Sequence, residues 1–302
     1  MELKKYIDRS REIVEKRINE YLNKKPFVNE TLKKSMLYSI NAGGKRIRPA
    51  FMFLTYELLS SKDKKNIVDA AAAVEMIHTY SLIHDDLPAM DDDDLRRGKP
   101  TNHKIFGEGM AILAGDGLLT DAFNIISSSS AIKKNLKARA VEILSFRAGS
   151  SGMVSGQALD LLSEGKIYGA KEKSKIKKTL DYIHRHKTAD MIMASCEIGC
   201  VLSEKEKYYK NLSEFALNIG LAFQVTDDIL DVIGDKKKLG KSGSDQKNQK
   251  LTYVTLFGLE KAKKMADNFL TKALKNIESL EGDIEKKKLL KELALLVVRR
   301  DR

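Results

Sequence analysis

Apolar residues recur at spacings of three and four along almost the whole chain, with charged and polar residues between them. That spacing is the period of an amphipathic helix, and the strict alternation typical of strands is scarce. Proline, which interrupts helices, occurs at only 4 positions, the last of them Pro100. The pattern predicts an all-α chain with helices near 1–23, 29–42, 49–58, 67–84, 105–129, 131–147, 150–162, 171–203, 206–233, 251–279 and 283–298.

Two of these segments are apolar on most of their circumference. One runs from Ile67 to His84, and the other is the later half of 206–233. Helices of that kind are buried at the centre of a bundle, so both are predicted to be central. Each ends in a cluster of carboxylates. We find no linker and no internal repeat, which predicts a single domain over residues 1–302.

Composition constrains the partner more than the fold. The 302 residues are 42% hydrophobic, enough for a full core, and carry a net charge of +12. A basic excess indicates a polyanionic partner, such as nucleic acid, an anionic membrane or a phosphorylated small molecule. Nucleic acid is disfavoured because basic and aromatic residues do not interleave, Trp is absent, and clustered Asp would repel phosphate. Most Lys pairs and triplets are expected to be solvated helix faces.

Cysteine usage and the lack of a long apolar run bear on location. Cys196 and Cys200 have no His or further Cys at zinc-ligand spacing, so both are predicted to be core residues in a reducing cytosol. The chain opens without an apolar signal segment, and no run of 18 apolar residues occurs. A soluble, cytoplasmic protein without a stable membrane anchor is expected.

Six Asp crowd into the ten positions 85–94, directly after the first central helix. Adjacent carboxylates repel one another, and burying them unpaired is costly, so the run is either a solvated loop or a cation site. Asp85 and Asp91 are six apart and would point away from each other on a straight helix. Pro88 lies between them and disrupts helical hydrogen bonding, so a bulge is expected to return Asp91 to the face of Asp85.

A second carboxylate cluster ends the other central helix. Asp227 and Asp231 are four apart, which places their Cβ atoms about 5–6 Å from each other on one helix face. Two such carboxylates suit Mg²⁺, and the absence of His and Cys disfavours zinc. Either cluster alone could be a solvated helix end. Two clusters on apolar helices of one all-α chain favour a Mg²⁺ site.

Three motifs together resemble those of the trans-isoprenyl diphosphate synthases. The stretch from Asp85 to Gly98 is similar to the family's first aspartate-rich motif in its bacterial form, and Asp227–Asp231 is similar to the second. Gly43–Pro49 resembles the family's opening phosphate-binding motif. Further counterparts follow in the same order: His78, Lys187-Thr188, Gln224 and Leu239-Gly240-Lys241. Class I terpene cyclases also have a first Asp cluster, but the all-Asp second motif favours chain elongation over cyclisation.

The resemblance implies an all-α isoprenoid synthase bundle with a central cavity, acting as a Mg²⁺-dependent prenyltransferase. An allylic diphosphate would ionise, isopentenyl diphosphate would attack the cation, and a proton would leave, with the departing diphosphate as a candidate base. The implied cofactor is Mg²⁺, three ions per active site with Mn²⁺ as a substitute. By resemblance, the metal ligands are Asp85, Asp91, Asp227 and Asp231, with Asp86 and Asp228 as further catalytic residues.

The basic residues divide between two diphosphates by the same resemblance. Arg96, Lys187 and Lys241 would bind the allylic diphosphate, with Thr188 and Gln224 near that substrate. Lys45, Arg48, His78 and Arg97 would bind isopentenyl diphosphate without metal. The plainer alternatives are a basic loop for 45–48, a core histidine for His78, an exposed charge for Lys187, and solvated side chains for Asp92, Asp93 and Asp94.

Product length is expected to depend on the helix that precedes Asp85. In the bacterial branch of the resembled family, a bulky aromatic five residues before the first Asp closes the cavity after fifteen carbons. Tyr80 has that position, with Ser81 beside it, so (2E,6E)-farnesyl diphosphate is the predicted product. Residues 75–79 and 99–103 are also close to C20 synthases, which leaves geranylgeranyl diphosphate as the alternative. A non-catalytic partner subunit is a third hypothesis, disfavoured by two complete Asp motifs; the family resemblance implies a homodimer.

Overall fold

The computed structural model describes residues 2–25, 29–163, 173–233 and 252–299. Over these residues the chain is a helical bundle, as the apolar spacing predicts. The helices are α1 Leu3–Asn23, α2 Glu30–Ile40, α3 Ile47–Leu59, α4 Lys65–Asp85, α5 Asn102–Phe106, α6 Glu108–Ser127, α7 Lys134–Ala148, α8 Met153–Ser163, α9 Lys173–Ile183, α10 Asp190–Leu202, α11 Tyr209–Ile233, α12 Tyr253–Phe257, α13 Leu259–Glu278 and α14 Ile284–Val298. A 3₁₀ turn covers Glu206–Tyr208. Strands β1 Leu95–Arg96 and β2 Lys99–Pro100 form an antiparallel pair after α4.

The centre of the bundle is α10, in which every residue is buried. It packs against α3, α7 and α11, and α4 packs chiefly against α6. The prediction of a central α4 is confirmed, because its buried residues surround most of the helix. The prediction that the helix over 206–233 is equally central overstates its burial, because α11 buries only one face. Its apolar residues pack on α10 and α13.

Two predicted long helices are each divided by a glycine. Gly107 separates α5 from α6, and Gly258 separates α12 from α13, both with φ 83°. This backbone region is essentially restricted to glycine, so the helix stops and restarts in a new direction. Each break leaves a 5-residue helix followed by a 20-residue one.

The two breaks belong to a repeated arrangement that the sequence pattern did not reveal. In both halves, a long helix that ends near an Asp cluster packs against the 20-residue helix that follows the break, as α4 on α6 and α11 on α13. The repeat is one of backbone arrangement, and the side chains of α5 and α12 differ in type. The two carboxylate clusters therefore have equivalent structural origins.

The predicted helix over 171–203 contains a π-helical turn, His184–Ala189, between α9 and α10. Such turns insert one extra residue into a helix and are often found at functional sites. Gly156 of α8 lies so close to the backbone of Lys187 that any Cβ there would clash with it. The turn is thus packed directly against α8, and it carries Lys187 and Thr188.

Among the described helices, α6 alone has the length and apolar composition that a membrane span requires. Its Ala111, Ala114 and Leu118 are buried, and the helix packs on α4 and α2. A core helix of a soluble bundle has the same properties, so this composition is weak evidence for a span.

Candidate active site

The end of α4 has the bulge expected around Pro88. The Asp91 N–H donates to the carbonyl oxygen of Asp85 at 2.9 Å, and the carbonyl of Leu87 accepts from both Met90 and Asp92. The backbone of Asp91 is thereby returned to the last turn of the helix. Asp92 takes a left-handed conformation with φ 52°, which turns the chain away from the cluster.

The carboxylates of this cluster have different surroundings. Burial raises the pKa of Asp85 to about 6; the charge of Asp91 adds to the shift and that of Lys187 opposes it. Asp86 is buried and accepts from Arg96 Nε at 2.6 Å. Asp86 and Arg96 therefore form an ion pair in the ligand-free chain.

The three Asp that follow Asp91 also differ from one another. Asp93 is buried and lies 3.7 Å from Arg96, whereas Asp92 is exposed. Asp94 is exposed and pairs with Lys104 at 2.6 Å. The hypothesis that these three side chains are solvated therefore holds for Asp92 and Asp94 and not for Asp93.

Lys187 projects from the π turn toward the first cluster. Its Nζ donates to Asp160 Oδ2 at 2.6 Å. Burial alone would lower the pKa of Lys187, but the carboxylates of Asp160, Asp85 and Asp91 raise it. The ammonium is therefore charged and faces the carboxylates, contrary to the reading of an exposed surface charge. Sequence reasoning missed Asp160; the available signal was a polar pair, Gln157 and Asp160, on one face of an otherwise apolar helix.

The second cluster lies at the end of α11. Asp227 and Asp231 are both partly exposed and four residues apart, while Asp228 is buried. Asp228 accepts from the backbone N–H of Tyr253 at 2.7 Å, so it anchors the start of α12. One turn earlier, Gln224 accepts a hydrogen bond from Thr188, which links α11 to the π turn.

A buried histidine lies beneath this second cluster. His184 opens the π turn, its Nε2 is 3.8 Å from Asp228 Oδ2, and its ring packs against Tyr253. Burial lowers the pKa of His184 to about 4, although Asp160 and Asp181 oppose the shift. The ring is therefore neutral near neutral pH.

The donor types fit Mg²⁺ as an ion shared with a ligand. Among the residues that the structure describes, no three His, Cys, Asp or Glu side chains are close enough to form a ready-made metal site. Carboxylate oxygens are the donors that Mg²⁺ prefers, and the ion usually keeps open positions for water and phosphate oxygens. Two pairs of carboxylates, on α4 and α11, match that requirement better than a closed protein cage.

A basic cavity of about 580 Å³ lies behind the loop 43–48. Its charged and polar lining comprises Lys45, Arg46, Arg48, Glu75, His78, Arg97 and Thr188. Burial lowers the pKa of Arg48 to about 10, with Glu75 opposing the shift. Burial also holds the pKa of His78 well below its usual range, aided by Arg48 and Arg97, so the ring is neutral.

Arg46 differs from its basic neighbours in this loop. It is 3% exposed, has φ 49°, and donates to Glu75 Oε1 at 2.8 Å and to Glu15 Oε1 at 3.0 Å. It therefore anchors the loop through buried ion pairs, in addition to lining the cavity beside Lys45 and Arg48. The exposed basic-loop reading is wrong for Arg46.

An apolar cavity of about 360 Å³ adjoins the basic one. Its wall includes Tyr80, Ser81, His84, Met153, Val154, Gln157, Ala158 and Leu161. Asp85 and Lys187 also line it, and Arg48, His78 and Thr188 line both cavities. Two joined spaces, one ionic and one apolar, are thus lined by these predicted site residues: Lys45, Arg48, His78, Tyr80, Ser81, Asp85, Arg97, Lys187 and Thr188. The predicted metal ligands Asp91, Asp227 and Asp231 line neither space. Lys241, with Leu239-Gly240, lies outside the described residues.

Comparison with known proteins gives a consistent family. The polyprenyl synthetase family model matches residues 29–293. The farnesyl diphosphate synthase of Geobacillus stearothermophilus is 45% identical over 94% of this chain and 94% of its own. The geranylgeranyl diphosphate synthase of Cyanophora paradoxa is 44% identical over 90% of this chain and 89% of its own.

Solved structures agree with the sequence matches. An FPP/GFPP synthase from Zymomonas mobilis superposes with a TM-score of 0.85 at 31% identity, covering 98% of this chain and 99% of that one. A geranylgeranyl pyrophosphate synthetase from Pyrococcus horikoshii gives the same TM-score and identity over 99% and 98%. The structural likeness therefore extends over essentially the entire chain.

Proposed function

The chain belongs to the polyprenyl synthetase family, and on that premise we propose that it condenses an allylic diphosphate with isopentenyl diphosphate to give (2E,6E)-farnesyl diphosphate and diphosphate. The allylic starters are dimethylallyl and geranyl diphosphate. The observation that carries the proposal is the junction of the two cavities, where a basic space and an apolar space share Arg48, His78 and Thr188. Asp85 and Lys187 line the apolar space. A substrate with a charged head and a hydrocarbon tail fits such a junction.

Mg²⁺ is the proposed cofactor, held by Asp85, Asp91, Asp227 and Asp231. Bound there, the ion supplies charge neutralisation for a departing diphosphate, as a Lewis acid does. Two of these ligands come from α4 and its bulge, and two from α11. Asp86 and Asp228 hold Arg96 and the start of α12 respectively, and so support the ligands rather than bind metal.

The allylic diphosphate is assigned to Arg96, Lys187 and Lys241. Lys187 is charged and already faces the carboxylates that would share the metal. An ammonium that is fixed near the leaving oxygens stabilises the charge that develops there. Thr188 and Gln224, hydrogen-bonded to each other, lie below the charged head, where hydroxyl and amide dipoles can face an allylic cation.

Isopentenyl diphosphate is assigned to the basic cavity. Lys45, Arg48 and Arg97 supply positive charge, and the neutral ring of His78 supplies a hydrogen-bond donor. No side-chain base is proposed for the final proton loss. The departing diphosphate, adjacent to both cavities, is the proposed acceptor.

Fifteen carbons are preferred over twenty because Tyr80 restricts the apolar cavity. Its side chain is buried on the cavity wall, and its ring edge meets His84 with 5.7 Å between the ring centroids. The similar proteins include both C15 and C20 synthases at nearly equal identity, so sequence identity does not distinguish the two products. The proposal of a C15 product therefore rests on Tyr80. Geranylgeranyl diphosphate remains the second candidate product.

Incubation with dimethylallyl and isopentenyl diphosphates, with Mg²⁺ or with chelator, tests the proposal. A C15 diphosphate that forms only with Mg²⁺ is the expected result. A C20 product would favour the second candidate. No condensation product under either condition would overturn the enzyme assignment and support a non-catalytic subunit.

We further propose a single domain, a homodimer and a cytoplasmic location. One domain is supported by α10, which contacts helices from both halves of the chain. A dimer is supported by exposed apolar side chains on the neighbouring helices α6 and α7, namely Ile112, Leu113 and Phe146. Large exposed apolar patches mark association sites, so the surface around these side chains is the proposed interface. The single domain is tested by urea unfolding, in which fluorescence and far-UV circular dichroism should follow one common transition.

A further inference from the structure

A buried ion-pair network contacts the π turn through residues that do not line the cavities. Arg147 of α7 donates from Nε and Nη2 to the two carboxylate oxygens of Glu197, at 3.0 and 2.6 Å. Its Nη1 donates to Asp190 Oδ1 at 2.8 Å. The side chains of Glu197 and Asp190 are 0% and 1% exposed. One guanidinium therefore serves two fully buried carboxylates.

The network continues into the π turn itself. The second oxygen of Asp190 lies 2.7 Å from His186 Nδ1, and the His186 ring packs on Tyr182 with centroids 4.2 Å apart. His186 precedes Lys187, and Asp190 is the residue that immediately follows the turn. Asp190 thus links Arg147 to His186, the residue before Lys187.

Neither Arg147 nor the two carboxylates line the cavities described above. Lys187 instead donates a hydrogen bond to Asp160 on α8. Gly156 of α8 brings its backbone against the same turn. The π turn is therefore held both by α8 and, through Asp190, by Arg147 of α7.

A π turn is intrinsically less favourable than a regular α-helical turn, so it persists where surrounding contacts fix it. Breaking one side of a buried charge pair leaves an uncompensated charge, which makes such a network a strong constraint on local geometry. Relaxing the turn to a regular helix would shift the register of all later side chains by one residue. It would also move the Lys187 ammonium.

We propose that the Arg147–Asp190 pair is a positioning device that keeps the π turn formed and so aims Lys187 at the allylic diphosphate. The inference rests on the proposed function, since it takes Lys187 to bind that diphosphate. Arg147 and Asp190 are positioning residues, because they act through the turn and not on substrate.

The full-length Asp190→Asn variant tests this, because it keeps the shape and removes the charge. We expect kcat/KM for the allylic diphosphate to fall about ten- to a hundred-fold, the loss typical of a catalytic group displaced by about 1 Å. The KM for isopentenyl diphosphate should stay within about two-fold, because the charged lining of the basic cavity, Lys45, Arg48 and Arg97, comes from other elements and only Thr188 of the turn reaches that cavity. Arg147→Lys, which cannot pair with both carboxylates in the same geometry, should act in the same direction.

A matched control is Asp69→Asn. Asp69 is also buried and pairs with an arginine, Arg17, at 2.5 Å. It lies 16 residues before Asp85 on α4, about 24 Å along the helix. Both variants should lower the thermal midpoint. Only Asp190→Asn should speed amide hydrogen exchange in the peptide 183–190 and change the allylic kinetics.

The double variant with Lys187→Ala separates positioning from general destabilisation. In the Lys187→Ala background, Asp190→Asn should have no further effect on kcat/KM. An equal loss of kcat/KM in both backgrounds, or an equal rise in KM for both substrates, would overturn the inference. The inference would also be overturned if Asp190→Asn had wild-type kinetics while Lys187→Ala was impaired. Wild-type kinetics for Lys187→Ala would instead overturn the site assignment under the proposed function, and this inference with it.

Discussion

Tyr80 is 6% exposed, and it is the largest side chain on the wall of the apolar cavity. Replacing it by Ala would open space below Asp85 for one further isoprene unit. We predict that Tyr80→Ala shifts the product from C15 toward C20, measured by chromatography of the dephosphorylated products. Tyr80→Phe keeps the ring and should leave the product at C15. Unchanged C15 output from Tyr80→Ala would exclude this residue as the limit on chain length.

Gly44 and Gly43 form a natural pair for testing the basic cavity. Both have positive φ, at 122° and 97°, so Ala is strained at either position. A Cβ on Gly44 would lie 2.7 Å from the Arg97 guanidinium, whereas one on Gly43 would meet nothing within 4 Å. We predict that Gly44→Ala raises the KM for isopentenyl diphosphate at least about ten-fold more than Gly43→Ala does, as loss of a charged contact would. Equal steady-state kinetics for the two variants would contradict the placement of Arg97.

His184 should make stability fall in acid. Its pKa is lowered from 6.5 to about 4 by burial, so between these values the unfolded chain binds a proton that the folded chain does not. Stability then rises with pH across that window, by up to about 3 kcal/mol for one fully buried group. Urea unfolding of His184→Gln should show a flatter dependence between pH 4 and 6.5. A slope identical to wild type would contradict a buried neutral ring.

At the level of single residues, the carboxylates were predictable and their supports were not. The bulge that returns Asp91 to Asp85 follows from Pro88, which interrupts helical hydrogen bonding. Arg46 and Asp160 were missed because their partners, such as Glu75, are remote in sequence. A charged residue with an unknown partner has the same sequence signature as a solvated one.

The helix break at Gly258 provides a test at the scale of elements. Its φ of 83° and ψ of 157° fall in a region that other residues avoid. We predict that Gly258→Ala destabilises the protein by about 1–3 kcal/mol in urea unfolding. Gly109→Ala, inside α6 with open space around its position, should be neutral or stabilising by up to about 1 kcal/mol. Comparable stabilities for the two variants would mean that the break is not held by the glycine.

Periodicity predicted which segments are helical but not where they break. Gly107 and Gly109 are two residues apart; one ends a helix and the other lies within the next one. The difference depends on the backbone direction that packing requires, which a local pattern does not contain. The π turn was unpredictable for the same reason, since its stability comes from Arg147 on a different helix.

The exposed apolar surface predicts assembly at the scale of the whole molecule. Leu113 is 54% exposed, so a charge there should cost the monomer little while opposing burial in a dimer. We predict a dimeric wild type and a monomeric Leu113→Arg by sedimentation velocity. Ile284→Arg, at an 83% exposed site on α14, should remain dimeric. A monomeric wild type would remove the basis for the dimer, and a dimeric Leu113→Arg would place the interface elsewhere.

The fold class followed from the sequence because helical spacing, scarce proline and the Asp motifs agree with one another. The relative burial of helices did not follow. A chain with apolar stripes on many helices does not specify which one becomes central, and α10 is central because α3, α7 and α11 all pack on it.

The matched pairs α4–α6 and α11–α13 have a consequence for the order of folding. Each pair joins helices that are close in sequence, and contacts of low sequence separation form fastest because little loop entropy is lost. The contacts of α10 with α3 join residues far apart in sequence and should form later. Newly made chains would thus acquire each carboxylate cluster at the end of a local helix pair first. The contacts of α10, which join the two halves of the chain, would then bury the remaining apolar surface.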